Sequence, residues 1–61
     1  MTVEQAMLRV GTDLYFEVIS RGEIIEEGKY DEVCKTMDYE VDRIEIVDVD
    51  TPTDMICRIH L

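Results

Sequence analysis

The sequence predicts an α+β domain in which a small antiparallel β-sheet carries one short amphipathic helix on one face. Three observations lead there. Apolar residues alternate with period two in four segments, one intervening segment has a helical period, and 61 residues with 46% hydrophobic content provide for one small core and no second one. The expected order is β-β-α-β-β, with residues 1–61 forming a single domain.

Residues 2–10 read two ways. Thr2 with Gln5 fits a capping box, and Ala6, Met7 and Leu8 are good helix formers, yet Glu4, Ala6, Leu8 and Val10 also alternate as in a strand. The reading leans to an extra N-terminal strand or one irregular turn. From Leu14 to Ser20 the pattern is clearer, with Leu14, Phe16 and Val18 on one face and Tyr15, Glu17 and Ile19 on the other, mostly β-branched or aromatic residues that favour strands. Arg21-Gly22 then separates this run from Glu23-Ile24-Ile25-Glu26-Glu27. A two-residue connection ending in Gly suits a tight hairpin, because Gly accepts positive φ at no steric cost, so these two strands should pair.

After Gly28-Lys29 the period changes. Tyr30, Val33, Cys34 and Met37 fall at i, i+3, i+4 and i+7, and Asp31 and Glu32 lie where a helix macrodipole favours negative charge, which predicts a helix over 30–39. In 41–49 the strand period returns, with Ile44 and Ile46 on one face and Val47 and Val49 on the other. Asp50-Thr51-Pro52-Thr53-Asp54 is turn chemistry. Met55, Cys57, Ile59 and Leu61 finally alternate with Ile56, Arg58 and His60, giving a last strand expected to pair back on the one before.

Charge and size limit the functions available. The chain has 15 Asp+Glu against 6 Lys+Arg, a formal net charge of -9. It contains no run of 18 apolar residues, and its first residues lack the basic stretch and apolar core of a signal peptide, so a cytoplasmic address is the expectation. A domain this small buries only about 60% of the surface its unfolded chain exposes, and a homodimer is one common way to gain more core. In that compartment Cys34 and Cys57 are expected as reduced core thiols.

No catalytic constellation emerges. Cys57 and His60 are an odd number of strand positions apart and should point to opposite faces, so they make no nucleophile and base pair. Asp48-x-Asp50 opens like an EF-hand loop, but Pro52, Thr53 and Ile59 stand where that loop needs a ligand, Gly and Glu. Two Cys and one His do not supply four zinc ligands. Neither a cofactor nor a metal is expected, and the chain reads as a non-enzyme. Direct nucleic-acid binding is opposed by the charge.

The acids themselves are unevenly placed. Asp38, Glu40, Asp42, Glu45, Asp48, Asp50 and Asp54 stand against the single base Arg43 in that stretch. Strand residues two apart project the same way about 6.6 Å apart, so Glu40 with Asp42 and Asp48 with Asp50 would form rows of like charge. Such rows oppose folding. Their bland role is solubility and protection of a sheet edge; their sharper role is to imitate phosphates. Over the about 27 Å diameter of a compact chain this long, duplex DNA carries about 16 phosphate charges, so a net charge of -9 is about half that density.

In size, acidity and lack of a catalytic signature, the whole chain resembles the small acidic phage-encoded proteins that mimic DNA and disable host factors, among them an inhibitor of the histone-like nucleoid protein HU from a Bacillus phage. The resemblance implies host takeover by blocking a basic DNA-binding protein, and it assigns no residue a role. The candidate partner-binding residues come from charge alone: Glu40, Asp42, Glu45, Asp48, Asp50 and Asp54, with Glu23, Glu26, Glu27, Asp31 and Glu32 as a second cluster. The alternative is a protein-protein adaptor or inhibitor working through a sheet edge or an apolar patch drawn from Tyr15, Tyr39, Ile19, Ile25 and Ile56, with the acids serving solubility.

Overall fold

A computed structural model describes residues 1–48 and 55–61, and of residue 48 only the backbone. The element order is α1 (Val3–Val10), β1 (Tyr15–Ser20), β2 (Glu23–Gly28), β3 (Arg43–Asp48) and β4 (Met55–His60). One short helix and a four-stranded sheet make this a small α+β protein. Its radius of gyration, 10.5 Å, is that of a compact chain of this length.

The helix lies at the N-terminus rather than at 30–39, which corrects both the strand-leaning reading of 2–10 and the expected position of the helix. The capping box is real: Gln5 N–H donates to Thr2 Oγ1 at 3.3 Å, and Thr2 N–H donates to Gln5 Oε1 at 2.9 Å. Val3, Ala6, Met7 and Val10 then form the i, i+3, i+4, i+7 stripe that a period-two reading, centred on Glu4 and Leu8, misses. Val3, Ala6 and Met7 are fully buried, while Leu8 is exposed.

The sheet is mixed, not purely antiparallel, and its strand order is β2-β1-β4-β3. The hairpin β1–β2 turns through Arg21 and Gly22, both at positive φ (55° and 79°), as a turn matched to strand twist requires. Antiparallel β3–β4 is the second hairpin, and the two join through the parallel pair β1–β4. It follows that β2 and β3 run in the same direction at opposite edges. The chain between them must therefore climb the height of the sheet, and residues 29–42 do so as a strap.

That strap replaces the expected helix. Its apolar stripe still faces inward, with Val33 buried and Tyr30 and Met37 packed on the core, but Cys34 is exposed, against the reading of it as a core thiol. The physical cause is Glu26. Its carboxylate accepts the N–H groups of Cys34 (2.8 Å), Lys35 (3.0 Å) and Thr36 (2.9 Å), donors that a helix would have spent on carbonyls four residues back. Gly28, at φ 141°, lets the chain leave β2; a Cβ there would come within 2.9 Å of Glu32 Cβ. The strap then runs beside α1, with Val3 N–H and Glu4 N–H donating to the carbonyls of Tyr39 and Met37.

All core residues belong to one cluster on one side of the sheet: Phe16 and Val18 of β1, Cys57 and Ile59 of β4, Val3, Ala6 and Met7 of α1, and Val33 of the strap. Helix and strap together cover that face over β1 and β4, while Ile46 of β3, on the same side, is 41% exposed. Among the described residues nothing packs on the other.

Candidate functional site

Strand register fixes what the uncovered face carries. The central row aligns Glu27 of β2, Glu17 of β1, Arg58 of β4 and Glu45 of β3. One flanking row holds Tyr15, Ile56 and Val47; the other holds Ile24, Ile19, His60 and Arg43. An ion pair and a carboxylate–imidazole contact lie on it. Arg58 Nε donates to Glu17 Oε1 at 3.0 Å across the parallel pair, and His60 Nε2 lies 3.1 Å from Glu45 Oε1. The hydrogen bond from His60, with the nearby charges of His60, Arg43 and Arg58, holds the Glu45 carboxyl below the usual carboxylate range against the opposing effect of desolvation.

Acids gather at the two edges of the sheet. At the β2 edge, Glu23 and Glu27 are exposed, followed by exposed Asp31 and Glu32 in the turn beyond the strand. The field there is negative enough to act on a neighbour: partial burial first, then the charges of Glu27, Glu17 and Glu32, push the Tyr15 hydroxyl up. At the β3 end Glu45 is exposed on the strand and Asp42 just before it, while exposed Glu40 lies beside α1, bridged to Thr2, with its Oε2 taking the N-terminal ammonium at 3.0 Å. Three inter-strand steps of about 4.8 Å separate the edges by about 14 Å.

The expected acid clusters thus fall at opposite edges and do not form one patch. Glu26 stands apart from the rest. It points to the core side opposite Val18, and besides three backbone N–H groups it accepts the Thr36 hydroxyl at 2.8 Å. Desolvation would raise its pKa, but the donors at Cys34, Lys35 and Thr36 outweigh it and hold the group down at about 2. Glu32 is partly committed too, accepting Lys29 N–H at 2.8 Å. Asp48 has its backbone at the end of β3, paired with Met55, while Asp50 and Asp54 lie outside the described residues, as does the turn read at 50–54. The sequence offered no signal for the Glu26 anchor, because its three backbone donors lie eight to ten residues away.

Cys57 is buried on the core face and His60 sits on the open face, as alternation requires. Burial pushes the Cys57 thiol up to about 11. Of the apolar candidates, Tyr15, Ile19 and Ile56 share the open face; Ile25 lies where the β1–β2 register shifts, and Tyr39 is exposed on the strap. No helix of the described residues is long and apolar enough to cross a membrane.

The fold and the charge define a small acidic α+β protein with one open sheet face. Compared with known proteins, the chain matches no family model, no curated protein and no solved structure.

Proposed function

We propose that this protein is a non-enzymatic inhibitor that sets its acidic sheet edges against the basic nucleic-acid-binding surface of another protein. The observation that carries the reading is that exposed carboxylates gather at both outer strands of the sheet, β2 and β3, whose backbones lie about 14 Å apart, close to the about 12 Å width of a B-DNA major groove, whose walls are two rows of phosphates. Lysines and arginines arranged to straddle such a groove would meet carboxylates at both walls. Glu23, Glu27, Asp31 and Glu32 supply one row, and Glu40, Asp42 and Glu45 the other, joined by Asp48, Asp50 and Asp54 in sequence. Glu26 is left out of it, since its oxygens are committed inside the fold.

A nucleoid protein of a host bacterium is the partner this chemistry fits best, and with the resemblance to phage-encoded DNA mimics the reading takes the cytoplasm of an infected cell as the site of action. The test is neutralisation of each row in turn. Glu23→Gln with Glu27→Gln removes charge from one edge, and Glu40→Gln with Asp42→Asn from the other. Exposed ion pairs contribute about 0.2–1 kcal/mol each, so each double variant should bind a basic DNA-binding domain roughly 2- to 30-fold more weakly. Unchanged binding by both would remove the edges from the interface. The adaptor reading is favoured by a separate observation, the half-apolar open face, and predicts that binding survives neutralisation at the edges.

A further inference from the structure

The open face differs in charge from the rest of the molecule. It carries three carboxylates, Glu17, Glu27 and Glu45, against the guanidiniums of Arg43 and Arg58 and the imidazole of His60, whereas the whole chain is at -9. It also holds Tyr15, Ile19, Ile24, Val47 and Ile56, of which Ile24 is 50% exposed and Tyr15 37%. A second strongly acidic copy would be repelled almost anywhere else. Here it would meet near-neutral, half-apolar surface.

The register makes the face self-complementary. The centre of the sheet falls between β1 and β4, which are in parallel register with Tyr15 beside Ile56, Glu17 beside Arg58 and Ile19 beside His60. A two-fold axis along the strands at that centre lays each β1 over the other copy's β4 without changing the row. Arg58 of each copy then lies over Glu17 of the other, and Tyr15 over Ile56. We propose that two copies of this chain pack through the open sheet face about this axis, pairing Arg58 of one copy with Glu17 of the other. Glu27 and Glu45 also come opposite as like charges, and they do so on the outer strands, where both are exposed and salt screens their repulsion.

This packing leaves the acidic edges at the rim of the dimer. Four strands about 4.8 Å apart and six residues at about 3.3 Å give a footprint of roughly 400 Å² per copy. That is below the about 1,200 Å² total of stable complexes, so the association is reversible and rises with concentration. Salt strengthens it, because the repulsion between two chains at -9 is long-ranged and screened first. Partner binding through the acidic edges has the opposite salt dependence, which keeps the two proposals separable.

Sedimentation equilibrium on the full chain from micromolar to millimolar tests the proposal. The mass should rise from 7.1 kDa toward twice that value, further in high salt, and Tyr15→Lys should hold it near 7.1 kDa with an unchanged circular dichroism spectrum. As a check independent of that variant's folding, Glu17→Cys and Arg58→Cys chains, each also Cys34→Ser, should cross-link to each other on oxidation when mixed. A mass fixed at 7.1 kDa throughout overturns the proposal. So does a dimer that Tyr15→Lys leaves intact and in which the mixed cysteines fail to join, since it must then use another surface; loss of a different bound protein in Tyr15→Lys, with no self-association in the parent, assigns the face to that partner instead.

Discussion

Glu26 and Thr36 meet twice: one carboxylate oxygen of Glu26 accepts both the backbone N–H of Thr36 at 2.9 Å and its hydroxyl at 2.8 Å. Thr36 is 3% exposed, the one buried polar residue of the described chain. The contact fastens the middle of the strap to β2 across ten residues, and the strap is half of what covers the core. Charge-assisted hydrogen bonds to a carboxylate are among the stronger ones, and leaving buried donors unmet is costly.

Glu26→Ala should therefore destabilise the protein by about 2–4 kcal/mol, more than any other single carboxylate replacement. The same group sets a pH dependence. Its folded-state pKa, about 2, lies below the usual carboxylate value of 4.5, so its stabilisation is present above about pH 4.5 and is lost as pH falls toward 2. Glu45, also depressed, acts in the same direction. Urea midpoints between pH 7 and 2 should fall in the parent, and the gap between the parent and Glu26→Ala should close toward pH 2. A gap that persists at pH 2 would show that the anchor does not act through the ionised carboxylate.

The two thiols should separate cleanly. Cys34 is exposed on the strap, while Cys57 is fully buried in the core with its thiol pushed up to about 11. Under native conditions at pH 8, a disulfide reagent should modify one thiol rapidly and the second only on unfolding; equal rates would place Cys57 at the surface.

Thr2→Ala removes one side of the capping box and should cost about 1 kcal/mol, lowering the thermal midpoint by several degrees in a domain of this size. Ser at the same position should restore it. Because Val3 and Met7 pack against Phe16 and Ile59 in one core, the loss should appear as a shift of the whole transition and not as a separate helix melting.

Strands and the first hairpin turn were legible where local chemistry decides them. Arg21-Gly22 announced the hairpin, and Met55 to Leu61 alternated as a half-buried strand must. Two competing periods over 2–10 were settled by tertiary burial of Val3, Ala6 and Met7, which no local pattern weighs. Residues 30–39 carry a correct helical stripe, yet Glu26 takes the N–H groups that a helix would use, and a carboxylate reaching eight to ten residues along the chain leaves no periodic trace. Parallel pairing of β1 with β4 was likewise hidden, because it joins segments about 40 residues apart. The acids were legible as a count; their distribution over two opposite edges depends on the strand order alone.

The central claim is that those edges stand in for phosphates, and a salt-stepped capture tests it most directly. The tagged protein, immobilised and exposed to bacterial lysate, should retain basic nucleoid or other DNA-binding proteins that elute at moderate salt and are displaced by free duplex DNA, since exposed ion pairs are screened beyond about 8–10 Å at physiological ionic strength. A partner that survives high salt and ignores duplex DNA would contradict the account and hand the interaction to the apolar residues of the open face.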